Sequence, residues 1–179
     1  MNTLTRALLV VTALSTPGLA HAIDENSPFV TVPAGTRLTL KSPLPIRAGQ
    51  TRLYLQQGLI LPPDDVDVTV PYCWLGLGPA PAADSKLQPD VFTVARVDDG
   101  TTDAEDSELP LPSTPDGEQS LDTADVLYRT VLFVRSSGQP VLDTVTCEQL
   151  DDVRLGQYLS ISDIRIALGA LFSLELPQH

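Results

Sequence analysis

Residues 126–135 read VLYRTVLFVR, the densest run of β-branched and aromatic side chains in the chain. Such side chains fit a pleated surface better than a helix, so the stretch reads as a long strand. Ser136-Ser137-Gly138-Gln139 then supplies a turn, and Pro140 to Cys147 runs back as the second arm of a hairpin.

Outward from that hairpin the rhythm stays at period two, the mark of half-buried strands. Thr36 to Ser42 (TRLTLKS) sets Leu38 and Leu40 against Arg37, Thr39 and Lys41. Thr51 to Gln57 (TRLYLQQ) points Leu53 and Leu55 inward, with Arg52, Tyr54 and Gln56 on the other side and Gly58 ending the run. Tyr72 to Leu77 (YCWLGL) puts Cys73, Leu75 and Leu77 on one face, Tyr72 and Trp74 on the other. Phe29–Val32, Val66–Val70 and Val91–Val97 read as further strands, with turns at Pro33-Ala34-Gly35 and Ala48-Gly49-Gln50 and a loop at Pro79–Ala83.

Only the C-terminal end has helical spacing. Ser160 or Ser162 can cap it, Asp163 suits its first turn, and Ile164, Leu168, Leu171 and Phe172 fall on one face. Ser173 to Leu176 can pair at a sheet edge before Pro177 stops it. The expected fold is mainly β: an antiparallel β-sandwich or partly open barrel of about 7–8 strands with one C-terminal helix.

Residues 98–125 break the pattern. They hold ten of the 23 acids, three prolines and no Lys or Arg. A segment that repels itself and has little to bury reads as a mobile acidic loop inside a single β domain spanning residues 23–179.

Residues 1–22 read as a signal peptide. Arg6 precedes the apolar run Ala7–Leu14, Thr16-Pro17-Gly18 breaks it, and Ala20-His21-Ala22 places small residues at the cleavage positions. The apolar run spans about eight residues where a bilayer needs roughly 20. No cysteine follows the cleavage position and no twin arginine precedes it, which points to the general secretory route. The reading is a periplasmic or secreted protein with no membrane insertion.

The chain has 23 Asp+Glu against 11 Lys+Arg, a formal net charge of −12, and loss of Arg6 makes the mature part more acidic. Such a surface repels nucleic acid and anionic lipid. The two cysteines, Cys73 and Cys147, are most simply a disulfide in an oxidising compartment. The other possibility is a redox-active thiol pair, for which no C-x-x-C spacing is present.

For chemistry, His21 leaves with the signal peptide and the remaining histidine is the terminal His179. A nucleophile–imidazole constellation needs a histidine held by neighbours, and no phosphate-cradling glycine motif occurs. The mature chain is therefore expected not to be an enzyme. Adjacent acids such as Asp64-Asp65 and Asp151-Asp152 leave room for a carboxylate-dependent hydrolase as a further alternative. Asp98, Asp99, Asp103, Glu105, Asp106 and Glu108 supply hard oxygen ligands for calcium, without the EF-hand spacing, and otherwise form a solvated acidic stretch. Arg52, Tyr54 and Gln56 on one strand and Tyr72 and Trp74 on another form a binding face if the strands are neighbours. The same aromatics equally serve to pack a two-sided sheet.

Gly35-Thr36, Leu38, Leu40, Pro43-Leu44, Ile46, Ala48-Gly49, Thr51-Arg52, Tyr54, Gln56, Gly58 and Pro71-Tyr72-Cys73 carry a resemblance that continues through Pro89, Phe92, Val94, Arg96-Val97, Thr146-Cys147, Ile164-Arg165 and Ala167-Leu168-Gly169. In these short pieces the mature chain resembles a group of uncharacterised exported proteins of Gram-negative bacteria. The resemblance implies export and a disulfide-bearing domain, and, with no activity assigned to the group, no catalytic residue. The functional expectation is a non-catalytic binding or accessory module of the cell envelope, with an envelope protein or a small ligand as partner. The alternative is a carrier holding a small apolar ligand in a β-barrel pocket.

Overall fold

The computed structural model describes residues 23–112 and 125–178. Its strands are β1 (Arg37–Leu40), β2 (Leu44–Ile46), β3 (Arg52–Gln56), β4 (Leu59–Leu61), β5 (Tyr72–Leu77), β6 (Ser85–Leu87), β7 (Val91–Asp103), β8 (Asp125–Arg135), β9 (Leu142–Asp152) and β10 (Phe172–Glu175). One α-helix, α1 (Ile161–Leu168), precedes the last strand. Eight strands form a single curled antiparallel sheet, a half-barrel, in the order β10-β1-β7-β8-β9-β5-β3-β4. β2 and β6 pair as a separate ribbon. Of the two expected architectures the partly open barrel is the one formed, since one sheet curls where a sandwich would stack two.

β8 runs through the middle of the sheet, paired along its length with β7 and β9. Because side chains alternate along each strand, the sheet has two faces of different chemistry. One carries Leu38, Leu40, Leu53, Leu55, Leu75, Phe92, Leu132 and Val145, all at most 2 % exposed, and α1 lies over it through Ile161, Ile164 and Leu168. The buried Leu44, Ile46 and Leu87 of the small ribbon join this core. The opposite face is covered by two irregular segments, 62–70 and 104–111, through Val66, Val68, Ala104 and Leu109, which pack on Tyr54, Tyr72, Leu127 and Leu150.

α1 starts where expected. Ser160 Oγ accepts from the Asp163 amide at 3.1 Å while the Asp163 carboxylate accepts from the Ser160 amide at 2.9 Å, a reciprocal capping box. It ends earlier than the spacing predicts: Leu171 lies in a 3-10 turn and Phe172 opens β10. The stop is steric. Gly169 takes φ +54°, and a Cβ there would lie 2.4 Å from the Cα of Gly58. Gly58 belongs to the two-residue turn Gln57-Gly58 (φ 52° and 77°) that joins β3 to β4, and its amide donates to the Ala167 carbonyl at 3.0 Å. Ser173–Glu175 pairs at the sheet edge with β1, as the tail pattern predicts.

Other expectations are corrected. Phe29–Val32 and Val66–Val70 form no strand. The valines of the second stretch are buried from a turn that the Gln56 side chain holds, so its alternation reports burial alone. The acidic segment is a strand at its start: Asp98–Asp103 belongs to β7 and pairs residue by residue with β8 from Val131 back to Val126. Backbone pairing to β8 sustains this arm of the ribbon, and its acids stay exposed in water. Residues 104–106 make a 3-10 turn, and residues 113–124 of the expected acidic loop lie outside the described residues, as does the expected signal peptide.

Cys73 and Cys147 are bonded, on directly opposed positions of the neighbouring strands β5 and β9. Among the described residues no helix is long and apolar enough to cross a membrane, and every buried side-chain polar atom has a hydrogen-bond partner.

Candidate functional site

The face opposite α1 contains all five residues singled out as a binding face. β3 and β5 are neighbours, with Tyr54 directly opposite Trp74 and Arg52 opposite Gly76. The missing side chain at Gly76 leaves space for Thr144 and for the Trp74 ring, since a Cβ there would lie 2.2 Å from Thr144 Oγ1 and 3.2 Å from the ring. Arg52 reaches diagonally over that ring, its guanidinium carbon 4.5 Å from the centroid, and its far side pairs with Glu108. Burial alone would lower the Arg52 pKa, but Tyr54 and the charge of Glu108 more than offset this and raise it. Arg52 is thus a fixed cation.

One row further along, Tyr72 lies opposite Glu148, and Glu148 opposite Arg129. The three side chains meet. The Tyr72 hydroxyl donates to Glu148 Oε2 at 2.7 Å, Trp74 Nε1 donates to the same oxygen at 3.3 Å, and Arg129 Nε donates to Oε1 at 2.5 Å. The Glu148 side chain is 6 % exposed, so its charge is held by a guanidinium and two neutral donors. A buried carboxylate of this kind is tolerated because both oxygens are bonded and a cation adjoins it. Burial first, and then the Glu148 charge, push the Tyr72 phenol above its ordinary 10.0.

Gln56 has a different role from the one expected. Its side-chain amide donates to the carbonyls of Asp67 and Val70 at 2.7 and 3.1 Å, and its oxygen accepts from the Asp67 amide at 3.1 Å. It is a buried strut that holds segment 62–70 on the sheet. The face is therefore assembled as the register requires but covered by segments 62–70 and 104–111, and α1 covers the other one. A cavity of about 160 Å³ remains beneath the cover, bounded by Arg52, Tyr72, Trp74, Glu108, Arg129 and Glu148.

The calcium candidates are dispersed. Asp98 pairs with Arg96 at 2.5 Å, Asp99 accepts from the hydroxyls of Thr31 and Thr130 at 2.8 and 2.7 Å, and Glu108 pairs with Arg52. Asp103 is the last residue of β7, and Glu105 and Asp106 follow in the 3-10 turn. Among the described residues no group of three metal-ligating side chains converges.

An open concavity lies beside this face, at the β3–β4 edge. It is a cleft of about 560 Å³, walled by Tyr54, Ile60, Leu61 and Pro62 and flanked by Arg47 and Arg52. Its size falls within the range of small-molecule sites. The β3–β4 hairpin that forms one wall is fixed by the Gln57-Gly58 turn and its contact with the end of α1. Arg52 and Tyr54 line both the cleft and the inner cavity, so they form the partition between the two.

Sequence reasoning found Arg52, Tyr54, Tyr72 and Trp74 but missed Glu148, Arg129, Arg47 and the β4 residues. A signal for Glu148 exists: it is the one acid among the buried residues Val145–Glu148 of a strand, and a charge in such a run needs a partner. No family model, curated protein or solved structure matches the chain.

Proposed function

We propose that the mature chain is a non-catalytic binding module of the periplasm or the secreted space, exported by removal of residues 1–22, and that it binds through the β3–β4 cleft. The observation that carries this reading is the contrast between the cleft and everything around it. The aromatic and charged groups of the neighbouring face bond one another beneath a cover, whereas the cleft is open and combines apolar walls with Arg47 and with Arg52 of the partition, whose guanidinium also pairs with Glu108. That combination orients a ligand by charge and holds it by burial of apolar surface. The Cys73–Cys147 bond supports residence in an oxidising compartment. The carrier alternative takes the same cleft, because the α1 side of the half-barrel is filled by leucine, valine and isoleucine side chains.

The test is a photo-crosslinking side chain at Ile60, which is 41 % exposed at the cleft wall, in the full-length chain exported by a Gram-negative host. A covalent adduct at Ile60, with none at the exposed Lys41, is the expected result. A bare chain mass at both positions, together with a bare mass in native mass spectrometry, overturns the reading.

A further inference from the structure

We propose that the β3–β4 cleft takes an organic anion: a carboxylate- or sulfonate-type head between Arg47 and Arg52, with a flat apolar body against Tyr54, Ile60, Leu61 and Pro62. This inference rests on the reading of the cleft as the binding surface and adds the chemical class of what it holds.

The argument begins with charge. In a chain with 23 acids and 11 Lys+Arg, cations are scarce. Most described arginines face a carboxylate: Arg37 meets Glu175, Arg96 meets Asp98, Arg129 meets Glu148, Arg154 meets Asp152 and Arg165 meets Glu25. Arg47 and Arg135 make no ion pair with a described residue, and of the two Arg47 lines the cleft, with its backbone amide fixed on Gln50 Oε1 at 2.9 Å. The residue is anchored by its main chain, and its side chain is left to the cleft.

Arg52 is the second arginine that lines the cleft. It contacts Glu108 through one terminal nitrogen and Trp74 through its flat face. A guanidinium has five N–H donors, so further donors stay available for a ligand oxygen. Its position is held by the stacking and by the ion pair, which lowers the cost of ordering it around a ligand. No carboxylate lies among the cleft-lining residues, while Glu108 compensates Arg52 from outside and Asp84 accepts from the Ala48 amide at 2.9 Å at the margin, so Arg47 is the cation the cleft leaves to a ligand. Electrostatic focusing in a concave site raises the local concentration of anions.

The walls then restrict the body of the ligand. Tyr54 is buried in the partition, and Ile60, at 41 % exposed, presents apolar surface to solvent from β4. Pro62 ends this wall with a rigid ring. An apolar body laid against these groups removes their surface from water, while a small inorganic anion would leave them wet.

The probe is 8-anilinonaphthalene-1-sulfonate, with the uncharged N-phenyl-1-naphthylamine as its counterpart lacking the sulfonate. Both are titrated by fluorescence against the folded mature chain at low ionic strength and neutral pH. Saturable binding of the sulfonate at one site is expected, weakened about tenfold to a hundredfold by Arg47→Glu, the range for a charge-assisted contact. Lys41→Glu, away from the cleft, should change it less than twofold, and the uncharged probe should bind more weakly than the sulfonate. Arg47→Glu leaving sulfonate binding unchanged overturns the proposal, as does equal affinity for the two probes. A crosslinked adduct at Ile60 without saturable sulfonate binding also overturns it while leaving the cleft as the binding surface. Absence of both removes the two readings together.

Discussion

The two faces of the sheet are built from the same strands by opposite means. On the α1 side Leu53, Leu55, Leu75 and Val145 interlock with Ile161, Ile164 and Leu168, so stability there comes from apolar area and close packing. On the other side the alternate residues of those strands, Tyr54, Tyr72, Trp74 and Glu148, meet Arg52 and Arg129, and directed contacts replace much of the apolar area. The lesson is that a face under a regular helix can rely on volume alone. A face under irregular segments needs polar anchors to hold its cover, as Gln56 does for segment 62–70 and Arg52 does for Glu108.

The comparison is open to attack by substitution. Leu75→Ala removes a fully buried side chain from the α1 side and should cost about 3–4 kcal/mol in urea unfolding, with little dependence on pH. A cost under about 1 kcal/mol would show that α1 repacks freely and that the aliphatic face is not close-packed. Glu148→Gln keeps the shape but removes the charge opposite Arg129, for an expected loss of about 2 kcal/mol. Its cost should be smaller in high salt than in low salt, since Arg129 is 36 % exposed. A salt-independent loss would place the polar face under packing control as well.

Tyr72→Phe sharpens the contrast through pH. The Tyr72 phenol is raised in the folded chain, so its contribution is fully present below its ordinary 10.0 and is lost as pH rises beyond that value. The wild-type chain should lose stability above pH 10 more steeply than Tyr72→Phe, while at pH 7 the variant should be weaker by about 1 kcal/mol. Parallel alkaline curves would break this account. The smallest effect belongs to a position outside both faces. Asp90 is lowered below its ordinary 3.8 by hydrogen bonds from Ser136 and the Val91 amide. Asp90→Asn should therefore produce a small drop in Tm at neutral pH that disappears as pH falls below 3.8. A drop that persists in acid would assign it to lost packing.

What was legible in the sequence follows from these two ways of building. β8, β5 and the Leu38/Leu40 and Leu53/Leu55 pairs stand out because alternating apolar residues are themselves the cause of a buried face. The disulfide and the Ser160 cap are local chemistry and were readable for the same reason. Asp98–Asp103 was not legible as a strand, because its pairing to β8 is made by main-chain groups that every residue carries. Val66–Val70 deceived in the other direction, showing strand periodicity in a turn that Gln56 holds from another strand. β4 is three residues long, too short to show a period. The polar face was legible only up to the condition that β3 and β5 be neighbours. Arg129 and Glu148 joined it through register, which no single strand reveals. The cleft depends on how a hairpin wall and the residues before β3 converge, and nothing in the order of residues 45–63 announces that.

The Cys73–Cys147 bond has a consequence beyond holding the sheet together. The two residues are 74 apart in sequence, and β6, β7 and β8 are threaded between the strands they join. In the unfolded chain, bringing β5 and β9 together is an encounter between distant segments with a large loop-closure entropy. It also has to be made in one alignment, because sliding either strand by one residue would turn Glu148 toward the leucines and Val145 toward Arg129. Once the strands have met, a covalent link at the matched pair holds that alignment and constrains the chain whenever it unfolds. Oxidation then acts as a proofreading step: the pairing that closes the bond is the one that sorts charge to one side of the sheet and hydrocarbon to the other.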